Sequence, residues 1–370
     1  MPQGAGGDPT GCRAAAGVAG LALVVYLAIV GALLFDAGGQ VATFARFGRQ
    51  TKVYPLARTL VGDDVYAASI QGHDGQHFWV IARDPLLLDP TTVRTTVEQP
   101  GTRAGRVLYP LLVAPWRLGG EQALLWGLLV TNLVALAAGT YVASRLAQGL
   151  GVTPRAGFAF ALCPTVFFGV LLDLAEVLAV ASLVAFVYAV HRRRLGPAVA
   201  FAAAAVLAKE SSLAIVVGVA VLAPALPRRL RVAPPAIALA AYGAWMLYQR
   251  SRLATPVDNV AFVFVPFQGL KAVMTNAWIP DHDWTAMAVG LSVFVVAAVI
   301  VIRFARRRNL LMAAALPMAL MAPFFIGEVV HQAEDAGRAL GAAIVFLALD
   351  VVVARTGGRS SSRPEPLAIS

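Results

Sequence analysis

Charge is scarce in this chain, because only 14% of its 370 residues are charged whereas 59% are hydrophobic. A soluble domain of this length could not bury so much apolar surface, so most of the chain must have lipid as its solvent. Cysteine is scarcer still. Cys12 and Cys163 offer neither a disulfide framework nor the ligand spacing of a metal site.

Positive charge exceeds negative charge, with a net charge of +10 that comes mainly from arginine. The arginines form short clusters beside apolar runs, which is typical of orientation signals in membrane proteins and argues against nucleic acid as a partner. We therefore predict that these clusters and both termini are cytoplasmic, in a multi-pass protein of the plasma membrane.

Apolar runs divide most of the chain into segments that resemble membrane spans. Their approximate bounds are 14–35, 123–143, 156–172, 174–190, 197–208, 213–226, 232–248, 285–302, 310–327 and 339–354. These runs predict an all-α integral membrane protein with about ten membrane segments, some of them short and re-entrant. The polar ends, 1–13 and 356–370, are predicted to be disordered and cytoplasmic, and they flank one membrane domain, 14–355.

The apolar region 197–226 is ambiguous, since Lys209 and Glu210 lie at its middle. It could form one helix or two short helices hinged at these residues. Arginine clusters flank it at 192–194 and 228–231, and a single crossing would place them in opposite compartments, against the positive-inside tendency. We therefore predict a hairpin whose tip carries Lys209 and Glu210 on the outer side.

The long polar stretch 36–106 is predicted to be the first extracytoplasmic loop and to carry interfacial helices. Two glycines within it flank Asp74, and they free the backbone so that a short helix can begin there. His77 and Phe78 would then lie on the face below Asp74, and Pro85 would end the helix. Asp74 could be an ordinary N-cap of this helix or a catalytic carboxylate held at the membrane surface.

Two motifs support the catalytic interpretation. The stretch 71–85 contains Asp-Gly-Gln followed by aromatic residues and ends in Ala-Arg-Asp-Pro, and 106–110 reads Arg-Val-Leu-Tyr-Pro. Together they resemble the first outer loop of bacterial membrane glycosyltransferases of the GT-C superfamily, which use polyprenyl-phosphate sugars. The specific resemblance covers residues 71–110. Family members often have Tyr where this chain has His77, Phe78 and Trp79, so the aromatic packing of the loop is expected to differ.

The predicted topology also gathers scattered charged residues at the outer side of the membrane. Ionisable groups cost about 2.5–3.5 kcal/mol each inside hydrocarbon, so they usually face a polar cavity. Structural roles stay open for several of these residues. Lys209 and Glu210 could form a local ion pair, Glu176 could bond to a neighbouring helix, and His331 and Arg338 could lie in a solvated loop. The candidate substrate-binding residues are Arg106, Glu176, Lys209, Glu210, His331 and Arg338.

The resemblance implies that a sugar moves from a polyprenyl-phosphate donor to a glycan or lipid acceptor on the outer face. Asp74 would be the general base, direct attack would invert the anomeric centre, and the basic candidates would stabilise the leaving phosphate. No cofactor is certain. A divalent metal held by Asp74 with Glu176 or Glu210 could replace the basic residues, although nothing in the sequence demands it.

Two other classes of protein remain as alternatives. One is a transporter or flippase for a lipid-linked sugar, and the other is a non-catalytic membrane scaffold. Transporters place charged sites near the bilayer midplane, often in two related halves. Here the charges are predicted to collect on one face beside a long polar loop, which favours chemistry at the membrane surface. A scaffold would have no need of Asp74.

Overall fold

The computed structural model describes residues 9–62, 65–254, 265–268, 271, 284–325 and 333–360. The described chain is almost entirely helical, as predicted. Its helices are α1 (Pro9–Asp36), α2 (Ala42–Ala45), α3 (Val53–Val61), α4 (Asp74–Arg83), α5 (Thr91–Thr96), α6 (Pro100–Arg103), α7 (Leu108–Val113), α8 (Glu121–Gly149), α9 (Phe158–Ala161), α10 (Pro164–Leu171), α11 (Glu176–His191), α12 (Leu195–Ala208), α13 (Ser212–Leu222), α14 (Arg228–Leu253), α15 (Trp284–Arg306), α16 (Leu310–Met321) and α17 (Ala333–Ser360).

Several described helices are suited to a membrane. Five of them are long and apolar enough to cross one: α1, α8, α14 and the segments Ala288–Arg306 and Arg338–Thr356 of α15 and α17. A sixth crossing results if Pro154–Ala161 and α10, which meet at an angle of 54°, form one broken span. The all-α membrane class is therefore confirmed, whereas the predicted count of about ten segments stays a prediction.

The first loop is a compact layer of short helices, with one small pair of parallel strands, β1 (Phe47–Gly48) and β2 (Ala67–Ser69). Helix α4 is buried along its length from Gly75 to Ala82. It is therefore more enclosed than a helix at the membrane interface would be, because the other helices of the loop and α8 pack around it.

Both ends of the membrane domain extend further as helix than predicted. Helix α1 begins at Pro9, inside the segment 1–13, and α17 continues to Ser360, inside the segment 356–370. Once a helix has formed, each added residue gains a backbone hydrogen bond at little cost, so helices run on through short polar flanks.

The ambiguous region 197–226 is broken where its charges lie. Helix α12 ends at Ala208 and α13 begins at Ser212. Ile215 of α13 lines the same narrow cleft as Ala179 and Leu183 of α11. Helix α13 therefore returns alongside α11, as the predicted hairpin requires, and Lys209 lies at the turn.

A close helix contact fixes the start of α17. A Cβ atom added at Gly341 would meet the Thr165 side chain of α10 at 1.5 Å, and the Cys163 thiol lies 3.3 Å from the Gly341 carbonyl oxygen. Glycine lets the two backbones approach where a larger residue would separate them. The contact lies one turn after Arg338, which is thereby held against α10 and α11.

Asp350 joins three helices at the other end of α17. It is fully buried, its carboxylate pairs with the Arg303 guanidinium of α15, and Asn309 donates a hydrogen bond of 2.6 Å to it just before α16. Asn309 also caps α16 by accepting from the Met312 amide at 2.9 Å. Asp350 therefore has a structural role that the sequence did not reveal.

We expect Arg303→Gln to destabilise the protein more than Asp350→Asn does. Loss of Arg303 leaves a buried carboxylate without its cation, which typically costs about 3–5 kcal/mol. Loss of the Asp350 charge leaves Arg303, whose side chain is 25% exposed, free to find water. Denaturant unfolding in detergent measures the difference, with Arg306→Gln on the same helix as an exposed control. Equal losses in both variants would contradict this asymmetry.

Candidate functional site

Asp74 is the first residue of α4, and its side chain points to arginines. The N-cap position belongs to His73, which makes no side-chain cap bond, so the simple N-cap interpretation of Asp74 is wrong. The Asp74 carboxylate instead accepts from Arg103 Nε at 3.1 Å, Arg338 Nη2 at 2.7 Å and Arg106 Nη1 at 3.5 Å. Asp74 is therefore the shared ion-pair partner of three arginines.

Gln76 fixes the loop that carries Asp74. Its buried Oε1 atom accepts from the Gly48 amide at 3.1 Å and from the Thr51 hydroxyl at 3.0 Å, and its Nε2 donates to the Gln71 carbonyl at 3.2 Å. These bonds tie the first turn of α4 to β1 and to the turn before α3. In the sequence, Gln76 stood out only as the third residue of the Asp-Gly-Gln motif. Its positioning role depends on residues far away in the chain.

Gly75 allows α4 to sit against two other backbone segments. A Cβ atom at this position would lie 2.6 Å from the Leu172 carbonyl oxygen and 3.0 Å from the Ala45 carbonyl oxygen. Backbone atoms cannot rotate away as the end of a side chain can. The motif glycine therefore lets the first turn of α4 lie directly against α2 and the end of α10.

We expect Gly75→Ala to lower the free energy of unfolding by about 1–3 kcal/mol, because the added methyl forces a backbone shift. Gly31→Ala in α1 is the matched control, since nothing lies within 4 Å of its added Cβ. Thermal and denaturant unfolding of both variants in detergent measure the effect. Equal stability of the two variants would show that the loop can move aside.

Arg106 is held in place by the tyrosine three residues after it. The Tyr109 hydroxyl donates to the Leu128 carbonyl at 3.0 Å and accepts from Asn132 Nδ2 at 2.9 Å, both on α8. Its ring meets Phe78 edge-on at 5.3 Å. Tyr109 therefore fixes α7 against α4 and α8, and with it the position of Arg106 just before α7. This gives both the Arg and the Tyr of the Arg-x-x-Tyr-Pro motif a place beside α4, the helix that begins at Asp74.

The Arg106 guanidinium forms a two-pronged ion pair with Glu210, with both N–O distances at 3.1 Å. Such bidentate pairs are the strongest and most directional of charge-assisted hydrogen bonds. Although burial acts to raise the pKa of Glu210, Arg106 lowers it below its usual value. The turn between α12 and α13 is therefore fastened to the first loop.

Glu176, the first residue of α11, is only 1% exposed. Its Oε1 atom accepts from Arg338 Nε at 2.8 Å and from Lys209 Nζ at 3.0 Å, while Oε2 has no hydrogen-bond partner among the described atoms. Arg338 also donates to Asp335 at 3.0 Å. Arg338 thus bridges Asp74 and Glu176, which come from separate parts of the chain.

These residues form what we call the charge cluster, at the ends of α4, α6, α11, α12 and α17. Its members are Asp74, Arg103, Arg106, Glu176, Lys209, Glu210 and Arg338. It contains the candidate catalytic residue and five of the six candidate binding residues. His331 lies outside the described residues. Arg103 was not singled out, since nothing in the sequence distinguishes it from the other arginines of the first loop.

The cluster keeps Asp74 ionised. Burial alone would raise the pKa of the Asp74 carboxyl, but Arg338, Arg103 and Arg106 hold it well below its usual range. His77, one turn along α4, is buried, and burial together with Arg103 lowers its pKa to about 3. The imidazole is therefore neutral at physiological pH and adds no charge beneath Asp74.

The possible metal site does not fit this geometry. Within the described part of the chain, no group of three or more His, Cys, Asp and Glu side chains is arranged to hold a metal ion. The proposed ligands Asp74, Glu176 and Glu210 are each already paired with arginine or lysine. The basic residues supply the positive charge here.

An apolar groove of about 470 Å³ lies between α8, α11 and α12. Val134 and Ala138 of α8 and Leu178 and Ala181 of α11 are among its lining residues. Glu176 lies on the opposite face of α11, where it lines a separate cleft with Ala179 and Leu183, so the groove and the charge cluster are on different sides of this helix. Small and aliphatic side chains give the groove the character of a lipid-chain site.

The fold and the site define a membrane-embedded α-helical protein with a cluster of mostly part-buried ion pairs at one end of its helices. Comparisons of the chain with models of protein families, with curated proteins and with solved structures found no match.

Proposed function

We propose that this protein is a GT-C-type membrane glycosyltransferase, which moves a sugar from a polyprenyl-phosphate donor to a glycan or lipid acceptor outside the plasma membrane. The observation that carries the proposal is the charge cluster. It puts one carboxylate, Asp74, within hydrogen-bond reach of cations from separate segments. The reaction needs a base for the acceptor and positive charge for a leaving phosphate.

In the proposed step, the acceptor hydroxyl gives its proton to Asp74 while its oxygen forms a bond to the anomeric carbon of the sugar. The bond between that carbon and the phosphate oxygen breaks, and the phosphate leaves with the electron pair. Because the attack comes from the side opposite the leaving group, the product has the inverted configuration. Arg106, Lys209 and Arg338 stabilise the negative charge that develops on the phosphate.

Donor binding also prepares the base in this mechanism. Three guanidinium groups pair with Asp74 and make it a weak proton acceptor. A donor phosphate competes for Arg338 and Arg106, since both guanidinium groups bind phosphate oxygens as well as they bind carboxylates. When these partners turn to the phosphate, the pKa of Asp74 rises and its basicity increases.

The apolar groove supports the same donor class. A polyprenyl chain is a long hydrocarbon, and the groove lies between membrane helices and is lined mainly by apolar side chains, so it can hold part of such a chain. A nucleotide-sugar donor would have no use for this groove.

The position of the charges argues for an enzyme over a transporter. They lie where helices begin or end, at Glu176, Lys209 and Arg338, and the first loop covers them. A transporter needs a site that both faces of the membrane can reach in turn, usually near the midplane. A scaffold, the other alternative, could join its helices with single ion pairs such as Arg303–Asp350 and would have no need of an Asp74 carboxylate with three guanidinium partners.

The test is turnover in a single compartment. Purified protein in detergent is mixed with radiolabelled polyprenyl-phosphate mannose, glucose or arabinose and with glycan or glycolipid extracted from the envelope of the source cells. We expect donor loss, product formation and, by NMR of the new linkage, inversion. Binding of the donor without turnover, together with movement across proteoliposome membranes, would instead support a transporter.

A further inference from the structure

Helix α14 is longer than a membrane crossing requires, and its last turns contact the first loop. Its 26 residues rise about 39 Å along the axis, against a hydrocarbon core of roughly 30 Å. Four side chains near its end donate hydrogen bonds to main-chain carbonyl groups of the first loop, namely Trp245, Tyr248, Gln249 and Arg252. The end of α14 therefore holds the backbone of this loop.

Two of these side chains bind the segment 100–106, which contains two arginines of the charge cluster. Trp245 Nε1 donates to the Ala104 carbonyl oxygen at 2.9 Å, and Gln249 Nε2 donates to the Gly101 carbonyl oxygen. Gln249 is only 1% exposed, so water does not compete for its bond. The two bonds hold the backbone on both sides of the first of those arginines.

The second arginine, Arg106, follows a glycine that also packs against α14. A Cβ atom added at Gly105 would lie 3.5 Å from both the Met246 sulfur atom and the Tyr242 hydroxyl oxygen. The α14 residues in these contacts are three or four positions apart, so they share one face of the helix. We call this face the α14 clamp, and its members are Tyr242, Trp245, Met246 and Gln249.

The clamped segment supplies two of the partners of Asp74. Arg103 Nε lies 3.1 Å and Arg106 Nη1 lies 3.5 Å from the Asp74 carboxylate. The other ionisable groups near this ion-pair centre are Arg338, Glu176, His77 and Glu98. Because the clamp holds the backbone that carries Arg103 and Arg106, it determines how closely their charges approach Asp74.

We propose that Trp245 and Gln249 are positioning residues for the proposed transfer reaction, which act by holding Arg103 and Arg106 against Asp74. This inference rests on the proposed function for the role of Asp74 as a base, but the charge state of Asp74 can be measured alone. When a clamp bond is lost, the segment moves away and less positive charge faces the carboxylate. The carboxyl group then keeps its proton up to a higher pH.

The test compares Trp245→Phe and Gln249→Leu with Tyr248→Phe. Tyr248 lies on the same helix, and its hydroxyl donates to the Leu86 carbonyl oxygen at 2.6 Å. Residues 86–88 contain no member of the charge cluster. Each variant therefore loses a side chain that donates to the loop backbone, but only the first two lose it beside Arg103.

The first measurement is the pH dependence of transfer by the full-length protein in detergent. We expect the acid limb of kcat/KM to move to higher pH by about one pH unit in Trp245→Phe and Gln249→Leu, because a neighbouring guanidinium typically lowers the pKa of an aspartate by about 1–3 pH units. Tyr248→Phe should keep the wild-type profile.

Infrared titration provides a second measurement that requires no transfer. The carboxyl band of Asp74 is identified by its loss in Asp74→Asn, and its midpoint should move to higher pH in the two clamp variants. Melting temperatures should fall by similar amounts in all three variants, since each loses hydrogen bonding to the first loop. A purely structural role of the clamp predicts this loss of stability with an unchanged titration of Asp74.

An unchanged Asp74 titration in Trp245→Phe, or an equal change in Tyr248→Phe, would overturn the inference. Trp245→Phe keeps an aromatic ring on α14, so it decides the matter if Gln249→Leu does not fold. An Asp74 titration that depends on the clamp, with no transfer from any polyprenyl-phosphate donor, would support the clamp and count against the glycosyltransferase. Transfer by the wild type with an unchanged titration in Trp245→Phe would support the glycosyltransferase and remove the clamp.

Discussion

Replacing Asp74 with asparagine is expected to reduce sugar transfer by about 10²–10⁴-fold, the usual contribution of a general base. The amide has nearly the shape of the carboxylate but cannot accept the acceptor proton. The arginines around it keep other carboxylates, since Arg106 retains Glu210 and Arg338 retains Glu176. We therefore expect Asp74→Asn to fold and to bind donor while transfer is lost.

The control for this variant is Asp89→Asn, an exposed carboxylate in the same loop whose hydrogen bond is to the Thr91 amide. Its transfer rate should match that of the wild type. The measurement is product formation under single-turnover conditions, together with the melting temperature of each variant. Wild-type transfer by a folded Asp74→Asn would remove Asp74 from the mechanism and favour the scaffold or transporter.

The dependence of transfer on pH follows from the same ion pairs. The arginines around Asp74 hold the pKa of its carboxyl well below the usual range, so the carboxylate is already ionised well below neutral pH. Since kcat/KM reports ionisations of the free enzyme, it should stay constant from pH 8 down to about pH 5. The acid limb of the kcat profile should lie at higher pH than that of kcat/KM. The donor phosphate competes for the arginines, and the pKa of Asp74 rises as they turn away. An acid limb of kcat/KM near pH 6 would contradict this.

Sequence patterns predicted where helices begin and break better than they predicted the ion pairs between helices. The break at Lys209 and Glu210 followed from charge placement, and the helix beginning at Asp74 followed from its two glycines. Both signals are local, since charge inside an apolar run and glycine beside a helix start act over a few residues. The motif that predicted Asp74 also includes Gly75, whose role becomes clear only where the Leu172 carbonyl lies against it.

The ion pairs between distant segments could not be predicted, because they depend on which helices become neighbours. Asp74 and Arg338 are 264 residues apart, and Arg303 and Asp350 are 47 apart. In the sequence, Arg103 cannot be distinguished from the other arginines of the first loop. In the folded protein its Nε lies 3.1 Å from Asp74 Oδ1. One-letter patterns carry periodicity and local propensity, whereas an ion pair between distant segments is a property of the packed structure.

The second large effect is expected at Arg338, which bridges Asp74 and Glu176. Arg338→Gln leaves Glu176, which is 1% exposed, with Lys209 as its one cation within salt-bridge distance among the described residues. Removing one member of a buried ion pair typically costs about 3–5 kcal/mol. The single variant should therefore lose both stability and transfer. Loss of transfer alone would then be ambiguous, since the protein is also less stable.

A double variant separates these two effects. Arg338→Gln combined with Glu176→Gln removes both members of the Arg338–Glu176 pair, so part of the lost stability should return, while Lys209, which is 16% exposed, loses its carboxylate partner. Transfer should stay about 10²–10³-fold below the wild type, because the cation that stabilises the departing phosphate is still missing. Arg83→Gln, which breaks the Arg83–Glu121 pair away from the cluster, is the control for loop arginines. If the stable double variant transferred sugar at the wild-type rate, Arg338 would have a purely structural role, as Arg303 has at the other end of α17.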